Sequence, residues 1–268
     1  MNGTEKLKEL INGSNNIVFF GGAGVSTESG IPDFRSTDGL YHQEYDYPPE
    51  TILSHSFFMR NPEEFYRFYK NKMLCLDAKP NMAHKKLAEL EKAGKLKAVI
   101  TQNIDGLHQA AGSKEVLELH GSVHRNYCMK CGKSYDAEYM LHAEGVPTCS
   151  CGGRIKPDVV LYEEGLDMTV MARAIQAIQD ADMLIILTAV EKVAVNFGKE
   201  NEKWLDEMTV EEAQKYVDEG QFAPGSMLPK VQAAMDFASS KEGRSAMITL
   251  LEKAKDGIQG KTGTKIHI

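Results

Sequence analysis

No apolar run in this chain approaches the ~18–20 residues needed to cross a bilayer, so no membrane association is expected. The opening stretch, Met1-Asn2-Gly3-Thr4-Glu5-Lys6, carries nothing like the apolar centre of a secretory leader, and the cytoplasm is the expected location. Basic charge is in deficit: 31 Lys and Arg stand against 38 Asp and Glu, a formal net charge of −7 at pH 7. A nucleic-acid partner, which requires basic excess to neutralise phosphates, is therefore not expected. Internal repeats and low-complexity stretches are missing as well. What remains is a 268-residue chain, 42% hydrophobic, long enough for one large domain and a small one.

Against that background, residues 21–36 stand out. They read Gly-Gly-Ala-Gly-Val-Ser-Thr-Glu-Ser-Gly-Ile-Pro-Asp-Phe-Arg-Ser and follow the apolar run Ile17-Val18-Phe19-Phe20. A strand feeding a glycine turn and a helix start presents bare backbone N–H groups and a positive helix end, where a phosphate can sit. Side chains at Gly22 or Gly24 would obstruct the turn or hold the backbone off a pyrophosphate. Asp33 and Arg35, close behind, are too polar for core filler.

The five cysteines divide four and one. Cys128 and Cys131 form C-x2-C, Cys149 and Cys151 form C-x-C, and glycines flank both pairs at Gly132 and Gly152-Gly153. Two such knuckles can converge four thiolates on one tetrahedral metal, for which zinc is the match. Disulfides compete with this reading but belong to an oxidising compartment. With all four positions sulfur, the metal has no open site and a structural role. Cys75 lies in a helix-like stretch and reads as a buried thiol.

The rest alternates between helix and strand. Helix is expected at 4–12, strand at 16–20 and a long loop at 36–50. Helices follow from Pro62 to about Met73, with Phe65, Tyr66, Phe68 and Tyr69 along one of them, and from Pro80 to about Ala93. Strands are expected at Ala98–Ile100, Val116–Leu119, Val159–Tyr162 and Met183–Leu187, with a helix at 168–180. Polar clusters then fall at strand ends, where open α/β sheets place ligand-binding groups: Asp33/Arg35, Gln102/Asn103/Asp105 and His120. His120, released from its strand by Gly121, suits a general base. His84 and His108 read as helix-surface residues, and His124 and His142 as spare histidines of the cysteine module. Asn103 and Asp105 fit a ligand site or an N-cap and turn pair equally.

Taken in order, Gly22-Ala23-Gly24-Val25-Ser26, Gly30-Ile31-Pro32-Asp33-Phe34-Arg35, Thr101-Gln102-Asn103-Ile104-Asp105, Leu119-His120-Gly121 and the four cysteines resemble the sirtuin family over about residues 1–186. Sirtuins are NAD-dependent protein-lysine deacylases. The resemblance implies a Rossmann-like α/β fold with a small zinc-binding domain inserted, and a cleft between the two for NAD and acyl-lysine. Residues 1–123 and 157–186 would form the large domain and 124–156 the small one. NAD would lie against Gly22, Ala23, Gly24, Thr27, Asp33, Phe34, Arg35 and Gln102. Asn103, Ile104 and Asp105 would hold the nicotinamide and its ribose, and Val159, Val160 and Leu161 would pair with the substrate peptide by strand addition. In that chemistry the acyl oxygen attacks the ribose C1′, nicotinamide leaves, and His120 takes a proton from a ribose hydroxyl. The products are free lysine, nicotinamide and O-acetyl-ADP-ribose. Succinyl-preferring members carry Tyr-x-x-Arg in the aromatic helix; here residues 66–69 are Tyr-Arg-Phe-Tyr, so acetylated protein lysines are the expected partners.

After Ile186 the family's Gly-Thr/Ser-Ser run does not appear. Leu187 to Lys199, the stretch Phe222 to Lys230 and the close Gly260-Lys261-Thr262-Gly263-Thr264 resemble the C-terminal part of carbamate kinases, making 187–268 a segment of different origin. Helices are expected at 209–218, 228–239 and 251–259, and strands at 245–250 and 262–268, an order compatible with extending a parallel sheet. Two alternatives to the deacetylase follow: a chimera that binds nucleotide or zinc without turnover, and a residual phosphotransferase. The join is expected to leave voids or buried polar groups.

Overall fold

Ile17-Val18-Phe19-Phe20 is apolar at consecutive positions, as a strand covered on both faces must be. In the computed structural model, which describes residues 11–32, 45–188, 192–223, 227–250 and 263–268, it becomes β1 (Ile17–Gly21) inside a seven-stranded sheet. Of the expected helix at 4–12, residues 11–13 are helical and 1–10 lie outside the described residues; the expected 36–50 loop lies outside them up to residue 44. The turn after β1 enters not an α-helix but a tight 3-10 helix, Ala23–Ser29, closed by Gly30 at φ 83°.

Three short helices follow: α1 (Pro49–Ile52), α2 (His55–Arg60) and α3 (Pro62–Phe68). The expected continuation of α3 to Met73 is a wider π turn, Tyr69–Met73. Helix α4 (Met82–Lys92) starts on a capping box in which Asn81 and His84 satisfy each other's backbone groups. Strand β2 (Leu96–Thr101) pairs in parallel with β1; α5 (Leu107–Ala110) follows, and β3 (Val116–Glu118) pairs in parallel with β2.

The cysteine region is a three-stranded antiparallel sheet of β4 (Gly121–Cys128), β5 (Ser134–Tyr135) and β6 (Ile155–Val159), with α6 (Ala137–His142) beside it. The expected strand at Val159–Tyr162 is corrected here. It runs over Ile155–Val159 and belongs to this small sheet, because Gly121 and Ser122 of β4 pair with Val159 and Asp158. The module does not have a core of its own. Phe57, Phe58, Phe65, Tyr66 and Tyr69 from the α2–α3 region pack in one cluster with Cys128, Cys149, Met140 and Ile155.

Helix α7 (Met168–Asp180) returns the chain to β7 (Met183–Thr188), which pairs in parallel with β1 on the side opposite β2. Beyond it come a hairpin, β8 (Val193–Val195) with β9 (Lys203–Leu205), then β10 (Glu207–Thr209). None of these three strands is expected from the sequence. Helices α8 (Val210–Asp218) and α9 (Met227–Ser239) and strands β11 (Ser245–Leu250) and β12 (Thr264–His267) complete the chain. The expected helix at 251–259 lies outside the described residues. β11 extends the parallel sheet on β7, whereas β12 runs antiparallel to β11, so the extension is mixed rather than wholly parallel.

The join is packed. Val18, Ile100, Leu184 and Ile186 share one buried cluster with Val231, Ala234, Phe237, Ala246, Ile248 and Ile266. Among the described residues of the C-terminal segment, the buried side-chain atoms without a partner are Thr249 Oγ1 and Arg244 Nε. No described helix is long and apolar enough to cross a membrane.

Candidate active site

Strands β1, β2 and β3 run parallel, so their carboxyl ends deliver the glycine turn, residues 102–105 and His120 to one side of the sheet. There they line a single cavity of about 530 Å³. Its walls include Gly22, Ala23 and Gly24, Gln102, Asn103, Ile104 and Asp105, His120, and Val159, Val160 and Leu161. Among the described residues, a Cβ built on Gly24 meets no atom within 4 Å, and one on Gly22 would approach only the Gln102 side chain. The bareness of Gly24 is therefore not demanded by a protein neighbour, as expected of backbone kept clear for a ligand.

Ser26 locks the turn to the 102–105 segment. Its hydroxyl donates to Asp105 Oδ2 at 2.5 Å and accepts from Asn103 Nδ2 at 3.0 Å. Asp105 also accepts the Leu107 N–H at 2.9 Å, so it is a turn residue at the start of α5 and a member of the cavity wall at once. Ser26 sits within the expected motif but was not expected as a site residue; its burial at 1% exposure is what reveals the role.

His120 Nδ1 lies 3.0 Å from the Gln102 carbonyl oxygen. A carbonyl can only accept, so Nδ1 carries a proton, and in the neutral ring the lone pair is then on Nε2. Gly121 follows at φ 77°, and a Cβ there would stand 1.9 Å from the Asp158 carbonyl oxygen, so no other residue fits. The Val160 N–H donates to the His120 carbonyl at 3.0 Å, which joins the candidate peptide segment to the candidate base.

Other expectations are corrected or displaced. Thr27 does not line the cavity; its hydroxyl donates to Gly24 O at 3.0 Å within the turn. Asp33, Phe34 and Arg35 lie outside the described residues, although Ile31 and Pro32 just before them line the cavity. Cys75 is half-buried in a loop on the cavity wall rather than inside a helix. His84 and His108 are not surface residues, at 0% and 1% exposed. Tyr69, where succinyl-preferring relatives would carry arginine, is buried among Phe65 and Tyr66 and does not line the cavity.

The four expected metal ligands do converge. Cys128 and Cys151 Sγ are 3.5 Å apart, Cys131 and Cys149 Sγ 3.6 Å apart, and all four lie within 4.8 Å of one another. A tetrahedron with Zn–S of about 2.3 Å has edges near 3.8 Å, so the sulfurs fit zinc and are too far apart for disulfides. Gly153 is required here: a Cβ would stand 2.6 Å from Cys128 Sγ. His124 and His142 take no part; they bond to the Asp105 carbonyl and Glu138.

The sequence pattern described as "Sir2 family" matches residues 22–195. An NAD-dependent protein deacetylase of Clostridium perfringens is 63% identical over 184 residues, 68% of this chain and 75% of that protein. One from Clostridium acetobutylicum is 60% identical over 185 residues, 68% of this chain and 76% of the relative. Among solved structures, one described as "Sir2-p53 peptide-NAD+" superposes with a TM-score of 0.60 at 44% identity, covering 69% of this chain and 75% of that one. Another, "Sir2 bound to acetylated peptide", gives 0.59 at 42% identity over 69% of this chain and 74% of the other.

Proposed function

This chain belongs to the Sir2 family, and from that premise we propose that it removes acetyl groups from protein lysines with NAD as co-substrate. One observation carries the reading. The glycine turn, Asn103, Asp105 and His120, which come from three separate strand ends, wall the same cavity as the Val160 and Leu161 segment.

NAD supplies a ribose carbon that accepts the acyl oxygen as nicotinamide leaves. The chain's own residues hold the reactants and accept a proton. Backbone N–H groups at Gly22 to Gly24, which line the cavity, receive the diphosphate. Asn103 and Asp105, held by Ser26, orient the nicotinamide end. The Gln102 carbonyl sets the His120 tautomer, so the free Nε2 lone pair is available to draw a proton from a ribose hydroxyl. Residues 159–161 offer backbone to an acetylated peptide, the ligand of similar Sir2 structures. The zinc cluster, closed by four sulfurs, takes no chemical part. We place the reaction in the cytoplasm and on proteins rather than nucleic acid, in keeping with the net charge of −7. We assign no phosphotransfer to residues 187–268, most of which lie beyond the family match at 22–195.

The test is nicotinamide release from NAD. Release should require acetylated peptide and should fall by ~10²–10⁴-fold in His120→Ala. Release that ignores the peptide, or that survives the substitution, overturns the assignment.

A further inference from the structure

The family match ends at residue 195, yet two cavity-wall residues come from beyond it: Met227 and Lys230. They stand three apart in the first turn of α9, hence on one face of that helix. Helix α9 packs on β11 and β7, so it reaches the cavity from the side of β1 opposite to β2 and β3. Asn103, Asp105 and His120 reach it from the β2–β3 side, and the glycine turn lies between. A dinucleotide with its reactive end among those three residues therefore runs past the glycine turn toward α9, its diphosphate lying between the turn and that helix.

Charge points the same way. The charged groups among the described lining residues are Glu50, Lys72, Asp105 and Lys230. Lys72 belongs to the turn after α3, its Nζ 5.9 Å from the Tyr45 ring centroid, on the side of the small module. Lys230 is half-buried on the opposite wall. A diphosphate carries two negative charges, for which a lysine ammonium is a suitable point-charge partner.

We propose that Lys230, supplied by the C-terminal segment, is a dinucleotide-binding residue that meets the diphosphate, with Met227 as the apolar wall beside it. The proposal rests on the NAD reading above. It gives the C-terminal segment a part in the site itself, besides its part in the core.

Calorimetric affinities for NAD and for ADP-ribose test it. Lys230→Met should weaken both by about tenfold, the scale of one charge-assisted contact, and Lys230→Arg should restore them. Lys241→Met, an exposed charge just past α9, is the control and should change neither. Should Lys230→Met fold poorly, as a lowered melting temperature would reveal, the charge-keeping Arg variant against wild type in a salt titration carries the test. The proposal is overturned if Lys230→Met binds like wild type, if Lys241→Met loses as much, or if wild type binds neither ligand. Failure of the deacetylase reading looks different: Lys230-dependent binding of ADP-ribose with no peptide-dependent nicotinamide release.

Discussion

His84 and His108 meet where α4 approaches α5, rings 4.7 Å apart, with the Phe19 ring 5.8 Å from His108. Both nitrogens of His108 and Nε2 of His84 are buried without a hydrogen-bond partner. Burial holds His108 down to about 3 and lowers His84 as well. In the unfolded chain each takes a proton near pH 6.5. Between that pH and the lowered folded values the unfolded state binds more protons, so stability falls as pH falls. Above about pH 7 both states are neutral at these sites and the effect is flat. Urea midpoints should therefore decline from pH 7 to 4.5, and His108→Leu should flatten part of that decline. Equal slopes in the two proteins would refute the assignment. From the sequence the two histidines read as helix-surface residues; only the approach of α4 to α5 buries them.

Zinc and aromatic helices make one unit. Cys128 and Cys149 are the buried halves of the two knuckles, and they pack with residues of α2, α3 and the turn beyond. Metal removal leaves four crowded thiols and loosens a core shared by both chain segments. Chelation, or Cys149→Ser, is expected to raise hydrogen exchange across β4–β6 and α2–α3 while β1, β2 and β7 stay protected. Because β6 leads into residues 159–161, acetyl-peptide affinity should fall too. Unchanged exchange in β4–β6 on chelation would contradict this. Cysteine spacing alone disclosed the metal, as two knuckles need little else. The aromatic helix as its packing partner was hidden, since its apolar face suits any core.

Across the whole molecule the sheet order β10-β12-β11-β7-β1-β2-β3 makes the C-terminal segment a neighbour, not an appendage. Met183, Leu184, Ile185 and Ile186 of β7 pair residue for residue with Ser245, Ala246, Met247 and Ile248. A chain ending at Thr188 would leave β7 as a bare apolar edge and expose the α9 side of the core. Such a truncation is expected to be largely insoluble or to unfold without a sharp denaturant transition. A soluble truncated protein with the wild-type midpoint would show the segment to be dispensable.

Chemistry written in contiguous stretches was legible along the chain. The glycine turn, Asn103 to Asp105, His120 before Gly121 and the paired cysteines declare themselves because local backbone geometry and ligand type restrict those positions. The longer helices and the central strands of the large sheet were legible for the same reason: short-range periodicity and capping set them. Whatever depends on which surfaces meet was not. The hand of β12, the small sheet's claim on β6, the burial of His84 and His108, and the arrival of Lys230 at the cavity all follow from contacts between residues far apart in sequence. Their free energy comes from burying surface jointly, and no single stretch of chain carries that information.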